Sequence, residues 1–200
     1  MVDMTEPIRT FVAIELTDVL HHALSDAQAQ FKRDRAARSV RWVAPENIHI
    51  TLKFLGDVDA DRMPALQRAL TDACAGSAPF TLTIGGAGAF PNPRHPNVVW
   101  IGARGQTEIA AQLAQKIDEA CFALGFPREE RPFSPHLTLG RVKRDTLPSE
   151  RQLVGGMIEH AQIGDLGNLR VERVSVMMSE VKPGGSVYTR LAEIPLTADG

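Results

Sequence analysis

The chain spells His-x-Thr-Leu twice, as His49-Ile50-Thr51-Leu52 and, eighty-seven residues later, as His136-Leu137-Thr138-Leu139. Each word sits in an apolar run that reads as a strand. Alternate side chains of a strand share a face, so His49 and Thr51 point one way while Ile48, Ile50 and Leu52 point the other. In the second word His136 and Thr138 oppose Leu137 and Leu139. The apolar sets can bury against helices, and the His and Thr sets must line something polar. A chain of this composition would contain one such word by chance on the order of a few hundredths of the time, so the repeat has a weight that one copy lacks.

Two imidazoles facing one cleft suit a particular chemistry. Near neutral pH one can be neutral and the other protonated, so one removes a proton from a nucleophile while the other gives a proton to a leaving oxygen. Phosphodiester cleavage needs that division of labour. It also needs donors for the non-bridging phosphoryl oxygens, and the hydroxyls of Thr51 and Thr138 stand next to the histidines.

The elements that must hold these residues are legible as follows. Residues 9–16 read as a strand, and Thr17 or Asp18 then caps a helix with Leu20, Leu24, Ala27 and Phe31 on one face. Two short strands follow, split by Pro45. A second helix carries Met63, Leu66, Leu70 and Cys74, with Pro64 in its first turn. Residues 80–90 and 97–103 are strands joined by the turn-rich Pro91–Pro96. A third helix spans about 107–124, with Ile109, Leu113, Ile117, Cys121 and Leu124 inward. The second His-x-Thr-Leu strand, a polar helix near 148–160, and two final strands, 170–181 and 187–196, complete the chain. Strands clustered in pairs between helices predict an α+β fold with largely antiparallel sheets.

With 44% hydrophobic and 23% charged residues and a net charge of −2, the composition is that of a globular domain and excludes a globally basic nucleic-acid binder, though not a local basic groove. Cys74 and Cys121 form no CxxC spacing and read as core residues in a reducing compartment. The opening residues lack the basic start of a leader peptide, and no apolar run is long enough to span a membrane. A cytoplasmic monomer is expected, with no membrane association.

Other patterns carry less. Gly86 and Gly88 are followed by Pro91 where a dinucleotide fingerprint needs its third glycine. Residues 57–62 mimic the start of a calcium loop, but Arg62 and Arg68 occupy its glycine and glutamate positions. Those acids are expected to cap the second helix instead. His21, His22, His95 and His160 receive no role. Lys32, Arg33, Arg35, Arg38 and Arg41 form a basic stretch, read as a solvated helix end or as a rim that meets an RNA backbone. Phe90 and Trp42 are candidates to stack on a base, with core packing the plainer role for Trp42.

The paired motifs resemble those of the 2H phosphoesterase family, and within it the RNA 2′,3′-cyclic phosphodiesterases, also called 2′-5′ RNA ligases. The resemblance extends through residues 9–16, 41–58, 86–102, 133–143 and 175–196. It implies one bilobal domain over 1–200, with motif halves near 1–90 and 91–200. Two pseudo-symmetric antiparallel sheets would form a central cleft, with the helices outside. It implies hydrolysis of an RNA terminal 2′,3′-cyclic phosphate, or a small cyclic nucleotide, to a 2′-phosphate, without a metal or other cofactor. Ligation at the same site, or nucleotide binding without catalysis, are the alternatives. Carried over by motif, His49 and His136 are the catalytic pair, of which we take His49 as the acid and His136 as the base, Thr51 and Thr138 hold the phosphate, and Arg141 adds positive charge. Period-2 counting opposes that last role, because it puts Arg141 on the Leu137 face unless a bulge near Gly140 turns it back. The same counting puts Lys53 on the His49 face.

Overall fold

The computed structural model describes residues 7–183 and 185–198. The first six residues of the opening segment lie outside them. The elements run β1 (Ile8–Ile14), α1 (Asp18–Lys32), β2 (Val40–Trp42), β3 (Ile50–Val58), α2 (Met63–Cys74), β4 (Phe80–Phe90), β5 (Val98–Gly105), α3 (Thr107–Ala123), β6 (His136–Val142), α4 (Pro148–His160), β7 (Asp165–Val171), β8 (Arg173–Lys182) and β9 (Gly185–Pro195).

Local sequence accounts for most of these. Thr17 caps α1, its hydroxyl accepting from the Leu20 amide, and Leu20, Leu24, Ala27 and Phe31 are all buried. Met63, Leu66, Leu70 and Cys74 form the buried stripe of α2. The expected acidic cap of α2 is absent. A single 3-10 turn, Ala60–Arg62, leads straight into the helix, so the position before it is already helical and no side chain caps it. Both cysteines are buried. No helix among the described residues is long and apolar enough to cross a membrane.

One strand was not legible. Residues 170–181 read as a single strand, but the chain breaks at Glu172: Asp165–Val171 pairs with β4, and Arg173–Lys182 pairs with β1. Asp165, Gly167 and Asn168 have low strand propensity, and pairing with a neighbour overrides it.

The sheet order is β7-β4-β5-β6-β3-β1-β8-β9, with β2 also paired to β6, and every strand pair is antiparallel. The order falls into two wings. β7, β4, β5, β6 and β2 form one, against which α1 and α4 pack; β3, β1, β8 and β9 form the other, with α2 and α3 against it. Among the described residues the strands of the two wings meet through one residue pair, Ile50 with Leu137. The large core lies between sheet and helices, and a small second cluster, Phe11, Ala13 and Met177 with Tyr188, marks the opposite face. That second face is the cleft.

Candidate active site

Both motifs obey the strand alternation. Ile48, Ile50, Leu52, Leu137 and Leu139 are buried in the core, while His49, Thr51, His136 and Thr138 are only partly covered. The Ile50–Leu137 pair brings the two motifs side by side at the join between the wings.

The histidines are propped by one device used twice. His49 Nδ1 lies 2.9 Å from the carbonyl oxygen of Asn47, and His136 Nδ1 lies 2.8 Å from that of Ser134. A carbonyl only accepts, so in each ring Nδ1–H donates and Nε2 is left for the cleft. Asn47 is itself held, donating from Nδ2 to Ser186 O at 2.7 Å, which ties the β8–β9 hairpin to the first motif.

The surroundings of the two rings differ. Phe11 stacks on His49 with centroids 4.7 Å apart, and Tyr188 meets it edge-on at 5.2 Å. Burial therefore lowers the His49 pKa to about 4, against smaller raising effects from the Asn47 carbonyl and Glu15 and a further lowering by His136. Glu15 is fixed by Arg190, whose Nε lies 2.8 Å from it, and by the Ser175 hydroxyl. Around His136 the aromatic contact is Phe90, edge-on at 4.8 Å.

Each motif strand bulges at the residue that follows its threonine. In β6, Trp100 pairs with Thr138 and Val99 with Gly140, leaving Leu139 as the extra residue. Leu139 and Gly140 both turn to the core, and Arg141 emerges exposed on the histidine face. The simple period-2 count is overturned there, and the implied position of Arg141 is recovered. Gly140 is needed for the arrangement, because a Cβ on it would lie 2.6 Å from Val40 Cγ1 and 3.1 Å from Arg41 O. In β3, Val12 pairs with Lys53 and Ala13 with Thr51, leaving Leu52 extra. This bulge corrects the expectation for Lys53. The side chain is 1% exposed and turns to α3, where Nζ lies 2.6 Å from Asp118 Oδ1 and 2.5 Å from Pro127 O. Phe54 emerges in its place, 60% exposed and 6.2 Å from Phe11. Phe54 and Arg141 thus hold equivalent places, each five residues after its histidine.

Of the two proposed base contacts, Phe90 lies at the site and Trp42 does not. Trp42 stacks on Phe31 of α1, centroids 5.9 Å apart, and its Nε1 donates to Ala37 O at 3.2 Å. The indole nearest the site is Trp100, paired with Thr138 and 5.3 Å from Phe90. Its ring lies flat across Gly88, where a Cβ would approach it to 2.2 Å. That contact explains a glycine in the Gly-rich stretch. Phe11 and Tyr188 lie far from either motif in sequence, and nothing local announces them.

A two-winged antiparallel sheet presenting one propped histidine and one threonine from each wing defines a two-histidine phosphoesterase. The chain belongs to the LigT like Phosphoesterase family, whose pattern matches residues 14–100 and again 101–188, one His-x-Thr motif in each. A relative from Methanothermobacter thermautotrophicus named RNA 2′,3′-cyclic phosphodiesterase is 38% identical over 182 residues, covering 91% of this chain and 95% of its own. One of the same name from Thermus thermophilus is 31% identical, covering 96% and 92%. The structure of E. coli LigT complexed with 3′-AMP matches with a TM-score of 0.76 at 28% identity, over 96% of this chain and 99% of that one.

Proposed function

We propose that the chain hydrolyses the 2′,3′-cyclic phosphate at an RNA end, leaving a 2′-phosphate. The observation that carries this is the twin prop, which frees Nε2 of both His49 and His136 beside one join. The relatives named RNA 2′,3′-cyclic phosphodiesterase support the substrate.

Water attacks phosphorus, one histidine takes the water proton, the P–O3′ bond breaks, and the other histidine protonates O3′. One water is consumed and no bond to the protein forms. Thr51 and Thr138 hold the non-bridging oxygens, where donors stabilise the charge of the transition state, and Arg141 adds positive charge at the edge of the site. Phe90 bounds the site at His136. The reading of the sequence takes His49 as the acid. Its enclosure by Phe11 and Tyr188 argues the reverse, because a histidine titrating near 4 is neutral at pH 7 and ready to accept a proton. His49 is then the base and His136 the acid. The reaction runs without metal, in a cytoplasmic monomer.

The test is an oligoribonucleotide ending in a 2′,3′-cyclic phosphate, incubated with excess chelator and followed by mass. The expected result is a gain of one water with the phosphate on O2′, abolished in His49→Ala and in His136→Ala. An unchanged terminus would overturn the reading, as would turnover that survives both substitutions.

A further inference from the structure

Arg41 and Arg141 are cross-strand partners in the β2–β6 pair. The adjoining pair, Val40 and Val142, is buried, so both arginines turn the other way, onto the face of His136 and Thr138. Both are exposed, and among the described residues no carboxylate oxygen lies within 4.0 Å of either guanidinium. Like charges placed opposite each other on a sheet destabilise it. The fold nevertheless enforces this pairing, because the missing side chain of Gly140 is what lets β2 approach so closely. Two guanidinium forks side by side, with no acid between them, form a site for a phosphate.

The location says which phosphate. From Thr138 to Arg141 is three residues of bulged strand, at most roughly 10 Å at about 3.3 Å per residue. That span matches one nucleotide step, so the arginine pair is placed for the phosphate next along the chain from the phosphoryl group held at the threonines. We infer that Arg41, with Arg141 beside it, binds the phosphate on the 5′ side of the terminal ribose, so that the site selects nucleotides with a 5′ phosphate or phosphodiester over a bare nucleoside cyclic phosphate. This rests on the hydrolytic reading above and extends it to the rest of the substrate. Arg41 is then a specificity residue, one nucleotide away from the reacting atoms.

The experiment compares three substrates: a nucleoside 2′,3′-cyclic phosphate, the same compound with a 5′-phosphate, and a dinucleotide ending in the cyclic phosphate. The wild type is expected to favour the last two by tenfold or more in kcat/KM. Arg41→Gln should bring that ratio to within about twofold of unity, and Arg41→Lys should keep part of it. The dependence of log kcat/KM on log salt for the dinucleotide should become shallower by about 0.7, one phosphate contact on a single strand. A preference shared by both 5′-bearing substrates assigns the subsite to the phosphate itself, and one confined to the dinucleotide assigns it to the chain; both support the inference. Equal turnover of all three by the wild type overturns it, and so does an Arg41→Gln enzyme that keeps the ratio. If none of the three is hydrolysed, the hydrolytic reading falls. Calorimetric binding of a dinucleotide 2′-phosphate against a nucleoside 2′-phosphate then decides the subsite separately. A preference lost in Arg41→Gln upholds it, and its absence or persistence overturns it.

Discussion

Ile50 and Leu137 form the one cross-strand pair between β3 and β6 among the described residues, and each stands between the histidine and the threonine of its own motif. In an antiparallel register this sets His49 beside Thr138 and Thr51 beside His136. Each imidazole therefore has the hydroxyl of the other motif as its cross-strand neighbour. The proposed phosphate cradle is assembled across the join.

Replacing either histidine with alanine should lower kcat by about 10²–10⁴-fold, the usual worth of a general acid or base. The double variant should be little worse than the worse single one, because the two act in one step. Circular dichroism should show the fold retained. Rates near wild type in both single variants would refute the assignment.

The pH dependence separates the two roles. A base at His49 gives kcat/KM that rises through pH 4 and is fully developed by about pH 6. An acid at His49 would instead make kcat/KM fall as pH rises above 4. Either assignment gives the wild type the same bell, because each needs one proton on the pair, so these limbs are read from the residual activity of His136→Ala, in which His49 alone titrates.

The same group links pH to stability. The folded-state pKa of His49 lies below its unfolded value of 6.5, so its contribution is complete above pH 6.5 and is lost as pH falls toward 4. The total is on the order of 3 kcal/mol at about 1.4 kcal/mol per unit. Denaturant titrations should show that loss in the wild type and its absence in His49→Asn. Parallel curves would show that burial does not hold the ring neutral.

Lys53→Met should destabilise the fold by about 3 kcal/mol, since it strips Asp118 of its main partner while leaving the carboxylate enclosed. Adding Asp118→Leu should recover much of that loss, and a double variant as weak as the single would contradict the pairing. Asp118 also accepts from the Glu129 amide at 3.0 Å, so both changes loosen the segment that leads to His136.

Gly140→Ala should lower the melting temperature by several degrees, by forcing β2 away from β6. It should also raise KM, because Arg141 rides on that bulge. An unchanged Tm would mean that β2 yields without cost.

The alternation of His and Thr with apolar residues was legible because the period of two holds through each His-x-Thr, ahead of the bulge. The helices were legible from their apolar stripes and, for α1, a threonine cap. What failed was whatever depended on a neighbour. The bulges at Leu52 and Leu139 are set by pairing with β1 and β5, and no residue spells them out, so Lys53 was placed on the wrong face and Phe54 was missed. Trp42 and Trp100 look alike in sequence, both being strand tryptophans. Each even pairs with a glycine, Trp42 with Gly140 and Trp100 with Gly88, and only the sheet decides that the first lies on the core side and the second on the cleft side.

The chain order of the strands has a consequence in time. During synthesis both motifs have been made by residue 139, yet the wing that holds His49 is closed by β8 and β9, residues 173–195. Tyr188, Arg190 and the Ser186 carbonyl that anchors Asn47 all arrive with that last hairpin. A chain made only as far as the second motif thus carries both histidines but lacks the wall that positions the first. The order of synthesis puts the last piece of the site after both of its reactive side chains.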